Sequence, residues 1–499
     1  MGLSATDLYL LSPELSLTIL ALVVMILDLF VHRRLVTVAV ALIGLIVPLA
    51  LLITQATTLN FAVPHRAFYG MLTVDPYAIF FGIVFVLIAA VIILSSYDYM
   101  NRYVKSEGEF YTLLLFSVTG MMFMASTTEL ISIYISLELA SIPLYVMAGL
   151  LRTSQKSAEA AVKYVLLGAM SSAILLYGFA LLYGLTGTTD LAGIANAIKT
   201  GVQNGNAMEL VACVLILAGF GFKISAVPFH MWAPDIYEGA PTPATAFFSV
   251  GSKAAGFAAL IRVFIDGGLG QVNLTSLVVI FAVVAVLTMT LGNLVAAVQS
   301  NVKRMMAYSS IAQAGYILVG FIVSLATHNP AGNATVLFFI LVYVITNLGA
   351  FSGIIALADL TGGERIEDFR GLWQRAPFLS AGTALCLLSL AGIPPVAGFF
   401  SKIFIFTAAW GLGQNANLDW LVIVALLNSV ISLVYYGRVV KAMFFDAPPR
   451  KDHLRTPMSL NVSITVTTVA LLVITVASQI VLNLANPAAS GLLAFLLGR

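Results

Sequence analysis

The chain has 499 residues, 60% of them hydrophobic and 9% charged, against about 25% charged in an ordinary soluble domain. So few charges cannot cover a soluble fold of this length, which excludes a cytosolic enzyme, a nucleic-acid binder and a disordered scaffold. With 24 Lys+Arg against 22 Asp+Glu the formal charge is +2, so nothing draws the chain to an acidic partner, and no basic run suits a phosphate backbone. Cys213 and Cys386 stand far apart in apolar runs. No Cys/His spacing suits zinc or an iron–sulfur cluster, and the two read as packed core thiols.

A bilayer core takes about 20 apolar residues per helix. Fourteen such stretches follow one another, near 9–30, 35–55, 77–96, 110–126, 128–150, 159–184, 208–227, 243–265, 274–297, 302–325, 333–358, 379–412, 418–442 and 460–483. They predict an all-α polytopic membrane protein. The runs are too long, and too uniform in hydrophobicity, for a membrane barrel. With no strand expected, no strand-borne phosphate loop is possible. The first stretch begins with Asp7 and Glu14, contains Asp28 and precedes His32-Arg33-Arg34; it reads as a retained span rather than a signal peptide. The longest polar connections, 185–207 and 443–459, leave no room for a large soluble domain.

Basic residues alternate between successive loops. One side holds Arg33, Arg34, Arg102, Lys105, Arg152, Lys156, Lys303, Arg304, Arg365, Arg370, Arg375, Arg438, Lys441, Arg450, Lys451 and Arg455. The other holds only Arg66, Lys199, Arg262 and Arg499. The positive-inside rule puts the first set in the cytoplasm. Both termini then face the periplasm of a bacterial inner membrane, or the matching side of a thylakoid.

Four basic residues remain: Lys163, Lys223, Lys253 and Lys402. Lys163, near the inner end of the sixth stretch, can snorkel to the interface. Lys253 is about 15 Å deep at 1.5 Å per residue, and Glu138 is similarly far into the fifth stretch. A charge at mid-bilayer costs at least about 2.5–3.5 kcal/mol on insertion scales, so Glu138, Lys223, Lys253 and Lys402 are expected to face the protein interior. Glu138 is the natural partner for Lys223. Burial and a nearby carboxylate push a lysine's proton affinity in opposite directions. A lysine held between them titrates near neutral pH, as a proton carrier must. The plainer reading is an ion pair that only locks helices together.

Two stretches are broken by proline. The seventh reads Lys223-Ile-Ser-Ala-Val-Pro228-Phe-His230-Met-Trp232-Ala-Pro234-Asp235, and the twelfth Gly392-Ile-Pro394-Pro395-Val-Ala-Gly398-Phe-Phe-Ser-Lys402. Proline removes a helical hydrogen bond, and in lipid the freed carbonyls need partners. The breaks lie five spans apart, so their segments cross in opposite directions, the trace of an inverted repeat with its site at the breaks. His230 fits a proton relay or a hydrogen-bonded core histidine equally well. Asp235 and Glu238, near the inner end of the seventh stretch, read as proton-uptake groups or as solvated caps. Glu129, Asp75 and Asp28 read as groups near span ends.

The run Phe222-Lys223-Ile-Ser-Ala-Val-Pro-Phe-His-Met-Trp-Ala-Pro-Asp-Ile-Tyr-Glu-Gly-Ala-Pro-Thr-Pro with Ser252-Lys253, together with Leu137-Glu138-Leu and Gly392–Lys402, resembles the subunit N family of NADH-quinone oxidoreductase, respiratory complex I. The wider group takes in antiporter-like subunits L and M and the multisubunit Na⁺/H⁺ antiporters. Subunit M usually has glutamate at the position of Lys402, and subunit L is much longer, so N fits best. The resemblance implies a three-helix segment at 1–109, inverted five-helix halves at 110–266 and 267–442, and a last helix within 443–499. It implies proton transfer by Glu138, Lys223, Lys253, His230 and Lys402, driven by quinone reduction elsewhere in the complex. It also implies no cofactor in this chain, with FMN, iron–sulfur clusters and quinone in other subunits. The partners it implies are subunit M, small subunits such as K, and the lipid bilayer. The competing functions are an antiporter subunit, which has no redox partner, and a structural membrane scaffold.

Overall fold

The computed structural model describes residues 4–31, 34–61, 65–104, 107–200, 207–327, 330–411, 418–448 and 453–494. Arg33, Lys105, Arg450, Lys451 and Arg499, used above for orientation, lie outside the described residues. The chain opens with α1 (Ala5–Phe30), whose start is fixed by reciprocal hydrogen bonds between Ser4 and Asp7. The second span is α2 (Arg34–Gly44) and α3 (Ile46–Thr58), joined at a kink. A hairpin, β1 (His65–Ala67) with β2 (Leu72–Val74), follows. It corrects the expectation that no strand would occur: three-residue strands are too short to carry a readable alternation. Asp75 then caps α4 (Pro76–Tyr103), accepting from Ala78 N at 2.8 Å with proline in the first turn.

Next come α5 (Glu107–Ser126), α6 (Leu130–Ala148) and α7 (Gln155–Thr186). Glu129 caps α6, accepting from Ser132 N at 2.7 Å. The connection expected to be loop at 185–207 contains a short helix, α8 (Leu191–Thr200). The seventh span is α9 (Ala207–Ile224), a break and α10 (Trp232–Gly239). The eighth is α11 (Thr242–Phe247) and α12 (Lys253–Ile261), separated by a wide π-turn at Phe248–Ser252 and followed by a second at Arg262–Asp266. Wide turns of this kind concentrate at functional sites.

The remaining helices are α13 (Leu274–Val298), α14 (Val302–Thr327), α15 (Pro330–Thr361), α16 (Leu372–Arg375), α17 (Pro377–Ala391), α18 (Ala397–Ala409) and α19 (Asp419–Phe444). The last expected stretch, 460–483, is two helices, α20 (Met458–Val476) and α21 (Ser478–Ala494), both packed against α15 and α4. Thirteen spans among the described residues are each long and apolar enough to cross a membrane, and the broken pair α17–α18 is made of shorter apolar helices. The stretch Thr242–Asp266 is wholly buried, and α14 and α15 nearly so, whereas α7, α13 and α19 leave much of their length exposed. The all-round-apolar helices form the core, and the exposed Ile, Leu and Val of the outer helices make a perimeter suited to lipid or to other subunits.

Three basic residues counted in loops, Arg262, Lys303 and Arg375, are in fact buried. Lys303 donates to Ala240 O at 2.8 Å and pairs with Glu364 at 2.9 Å. Arg262 makes two bonds to the Asp75 carboxylate (2.7 and 2.9 Å), one to Asp266 (2.9 Å) and one to Ala125 O (2.9 Å). Its guanidinium also lies over the Tyr77 ring at 4.9 Å. This cluster joins the start of the third span to the end of the eighth. Asp75→Ala leaves a buried guanidinium with one carboxylate, and unpairing buried charge costs on the order of 3–5 kcal/mol. The surviving Asp266 contact puts the expected loss at the low end, read as a lowered thermal midpoint of the detergent-purified protein. An unchanged midpoint would show that the cluster adds nothing to stability.

Candidate functional site

The seventh span breaks where Pro228 follows Val227 in a cis peptide, and Ser225 takes a left-handed backbone with φ 60°. Three of the carbonyls freed there are met by protein. Gly221 O accepts from Ala226 N (2.8 Å), and Phe222 O accepts from Trp232 Nε1 (2.8 Å). Ile224 O accepts from Lys253 Nζ at 3.0 Å. Lys253 is fully buried directly after the π-turn of the eighth span. Gly256 explains how α12 comes so close: a Cβ there would lie 2.9 Å from Ile224 Cγ2 and 3.2 Å from Lys223 Cγ.

Lys223 is also buried, and its Nζ donates to Ser141 Oγ at 2.6 Å. Ser141 in turn donates to Leu137 O. Beside them Ser141, Tyr145, Ser171, Ser172 and Lys223 line a cavity of about 10 Å³, room for about one water. The expected contact between Glu138 and Lys223 is replaced by this serine bond. Glu138 is only half-buried, at the edge of α6, and its Oε1 is buried without a hydrogen-bond partner. Ser141, one turn further along α6, reaches the ammonium first. Glu138 remains the nearby carboxylate that acts on Lys223 through space. His230 lies in the break itself, half-buried with Nδ1 unpartnered, and Lys253 is the cation that acts on it.

The twelfth span repeats the arrangement. α17 ends at Ala391, Gly392 takes φ 83°, and the Pro394–Pro395 peptide is cis. Lys402, on α18, folds back to the end of α17. Its Nζ donates to Ala391 O (2.9 Å), Leu390 O (3.3 Å) and Ser429 Oγ (2.9 Å), and lies 4.9 Å from the Tyr316 ring centre. The carbonyl end of a helix favours a cation, and half-helix ends are where broken membrane helices hold ions. Gly392 is needed on two counts: its φ is left-handed, and a Cβ would sit 2.9 Å from Lys402 Cδ.

Between the breaks runs a set of buried polar side chains. Near Lys402, Gln313 Nε2 donates to Leu390 O (3.0 Å) and Tyr436 Oη (3.4 Å), and Tyr436 also meets Ser309. Near Lys253, Tyr343 Oη donates to Ser249 O (2.9 Å) and Asn347 Nδ2 to Ser249 Oγ (2.7 Å). Ser249 is one turn before Lys253. The structure thus brings Lys223, Lys253, His230 and Lys402 into the interior, with Glu138 at its rim.

At the inner end lies an ion-pair network around a cavity of about 190 Å³. Lys163 pairs with Glu159 and Asp235 (both 2.7 Å), Arg304 with Asp235 (2.8 Å) and Glu238 (3.1 Å), and Lys156 with Glu238 (2.9 Å). Burial would raise the Asp235 carboxyl, but hydrogen bonds from Lys163 and Arg304 outweigh it and hold Asp235 below the ordinary carboxylate value. Glu238 is lowered likewise, its partial burial outweighed by Lys156 and Arg304. Both stay ionised at neutral pH. They form the acidic half of a clasp holding α10 to α7 and α14.

Sequence reading missed Ser141, Gln313, Tyr436, Asn347 and the Arg262 cluster. Gln313 and Asn347 carried a signal, since an amide inside an apolar run must find a buried partner. Serine and tyrosine carried none.

The fold and this axis define a multi-pass integral membrane protein organised around two broken helices with a lysine at each break. The family described as NADH:quinone oxidoreductase/Mrp antiporter, TM, matches residues 127–432. The chain is 40% identical over 486 residues to NADH-quinone oxidoreductase subunit N of Desulforamulus reducens, covering 97% of this chain and 98% of that one. It is 46% identical over 442 residues to NAD(P)H-quinone oxidoreductase subunit 2 of Thermosynechococcus vestitus, covering 87% and 82%. A chain of respiratory complex I from Thermus thermophilus with bound aureothin matches with TM-score 0.77 at 32% identity, covering 94% and 98%. The chain belongs to the NADH:quinone oxidoreductase/Mrp antiporter membrane-subunit family, within its subunit N group.

Proposed function

We propose that this chain is a proton-translocating membrane-arm subunit of an NADH-quinone oxidoreductase, doing no redox chemistry itself. The observation that carries the reading is that each helix break hands freed carbonyl oxygen to a buried lysine, Ile224 O to Lys253 and Ala391 O to Lys402. A lysine there exchanges its proton without leaving the backbone bare. Protons pass from Lys223 through waters around Lys253 and His230 to Lys402, and then outward. The push comes from quinone reduction in other subunits, which carry the flavin, the iron–sulfur clusters and the quinone. Glu138 receives it by moving relative to Lys223. The halves 110–266 and 267–442, between the segments 1–109 and 443–499, are related by inversion. Both termini face the periplasmic side of the inner membrane, and the neighbours include subunit M and small subunits such as K.

Lys223→Ala in the assembled complex is expected to lower proton pumping several-fold while the complex still forms. Normal pumping by that variant rejects the role. The family name also covers cation/proton antiporters, which keep the same lysine chemistry without a redox partner. Co-purification with flavin and iron–sulfur subunits supports the first reading; their absence supports the second. Retained pumping in a Lys223/Lys402 double substitution leaves only a scaffold.

A further inference from the structure

Lys402 is buried with no anion to answer it. Its hydrogen bonds go to Leu390 O, Ala391 O and Ser429 Oγ, and among the described residues it forms no ion pair. On the helices packed against α18, the charged residues stand toward the ends: Lys303 and Arg304 on α14, Asp359 on α15, and Asp419, Arg438 and Lys441 on α19. Helices α17 and α20 carry none. The titratable groups that reach Lys402 are phenols, Tyr316 directly and Tyr436 through the Gln313 amide and Leu390 O. Tyr316 is fully buried on α14, and Lys402 Nζ lies over its ring, 4.9 Å from the centre. The ring is held from three other helices. Asn293 Nδ2, on α13, donates to Tyr316 Oη at 3.0 Å and reaches Asn428 Oδ1, on α19, at 3.3 Å. Asn293 Oδ1 accepts from Tyr435 Oη, also on α19, at 3.0 Å. Phe406, one turn past Lys402 on α18, meets the Tyr316 ring edge-on at 6.5 Å. Glycines let α13 come this close to α14: a Cβ at Gly292 would lie 2.7 Å from Ala312 N, and one at Gly315 2.8 Å from Met289 N.

We infer that Tyr316 is a positioning residue that sets how firmly Lys402 holds its proton, with its π face standing where a carboxylate would otherwise be. An ammonium has three N–H donors, and three oxygens take them: Leu390 O, Ala391 O and Ser429 Oγ. What is left for Tyr316 is the pull of the ring face itself. That face is negative; it attracts an ammonium, most strongly where water is excluded, and has no such hold on a neutral amine. The ring therefore favours the loaded lysine without adding a buried carboxylate, which would bring a full charge and its cost of desolvation. Asn293, Tyr435, Asn428 and Phe406 keep the face turned to Nζ. The two breaks then differ in kind. Lys223 answers to a carboxylate at the rim, which can move, and Lys402 to a ring locked in place.

The inference rests on the proposed proton-translocating role, and the test separates the two. Tyr316 is replaced in the assembled complex by phenylalanine and, through codon suppression, by mono-, di- and trifluorinated phenylalanine. Fluorine draws charge off the ring face and changes its shape little, so a packing role treats the series alike. Pumping per quinone reduced is followed in vesicles against pH. A less attracted ammonium loses its proton at lower pH, so the midpoint of the alkaline fall in pumping is expected to move down with each fluorine. The expected span of the series is about one pH unit, tenfold in proton affinity or about 1.4 kcal/mol. One midpoint throughout the series overturns the inference, and so does a shift to higher pH. Should loss of the hydroxyl block assembly, fluorinated tyrosines keep the Asn293 bond and are read in the same way. Lys402→Met is run alongside. If it pumps normally, the proposed function itself fails; if it stops pumping while the midpoint never moves, only the role of the ring fails.

Discussion

Lys402→Met is expected to cut proton pumping by about tenfold or more, the scale set by about 1.4 kcal/mol per tenfold, with the complex still assembled. Methionine fills much of the lysine's volume and packs adaptably, so the core around α17 and α18 keeps its shape. What it removes is the group that bridges Ala391 O, Leu390 O and Ser429 Oγ. Leu390 O keeps the Gln313 bond, and Ala391 O keeps a long contact of 3.4 Å from Ser432, so the break does not lose every partner. Lys402→Arg separates the two tasks a cation has here. Arginine holds its charge but does not give up a proton in proteins. If the site needs only a positive charge against the helix end, Arg restores pumping. If it needs a group that loads and unloads, Arg fails as Met does, and the proposal requires that failure. The readout is proton movement in reconstituted vesicles against quinone reduction in the same sample. Full pumping in Lys402→Met would remove the second break from the path.

How much of this could be read from the chain follows from what a bilayer makes costly. Lys223, Lys253 and Lys402 stood out because their depth in an apolar run leaves only the interior for them, and Pro228 and Pro394–Pro395 because a lost backbone bond in lipid must be answered nearby. Both signals are local and large. Arg262 and Lys303 were misread for the opposite reason. Near a span end, a charge on water and a charge in a buried cluster look the same until the partner is known, and Asp75 lies 187 residues from Arg262. Ser309 was silent because serine is at home in membrane helices, where its hydroxyl bonds back to the preceding turn. Which serine also faces a phenol on another helix is a matter of packing. The hairpin β1–β2 and the turn between α20 and α21 were lost to length, the strands being too short and the two final helices too alike in composition to divide.

Glu138→Gln is expected to uncouple the chain about as strongly as losing a lysine, although Glu138 touches no lysine here. Lys223 is bound to a neutral serine, so its charge is not cancelled by contact. The nearby carboxylate is Glu138, at the rim of α6, where its Oε1 is buried and unpaired. A half-exposed carboxylate at the perimeter is placed to answer a neighbouring subunit on one side and Lys223 on the other. A small approach or withdrawal changes the lysine's proton affinity, and each tenfold change in affinity is about 1.4 kcal/mol, within reach of a charge moving a few ångströms in a poorly screened interior. Gln keeps the shape and loses the charge. Glu138→Asp keeps the charge on a shorter stem, so it should retain part of the coupling. Ser141→Ala makes the complementary case: it frees Lys223 from its serine and lets the ammonium turn toward Glu138. If pumping tracks the carboxylate, the order is wild type, then Glu138→Asp, then Glu138→Gln, with quinone reduction still measurable in all three. Equal pumping in Glu138→Gln and wild type would mean that the driving charge reaches Lys223 by another route.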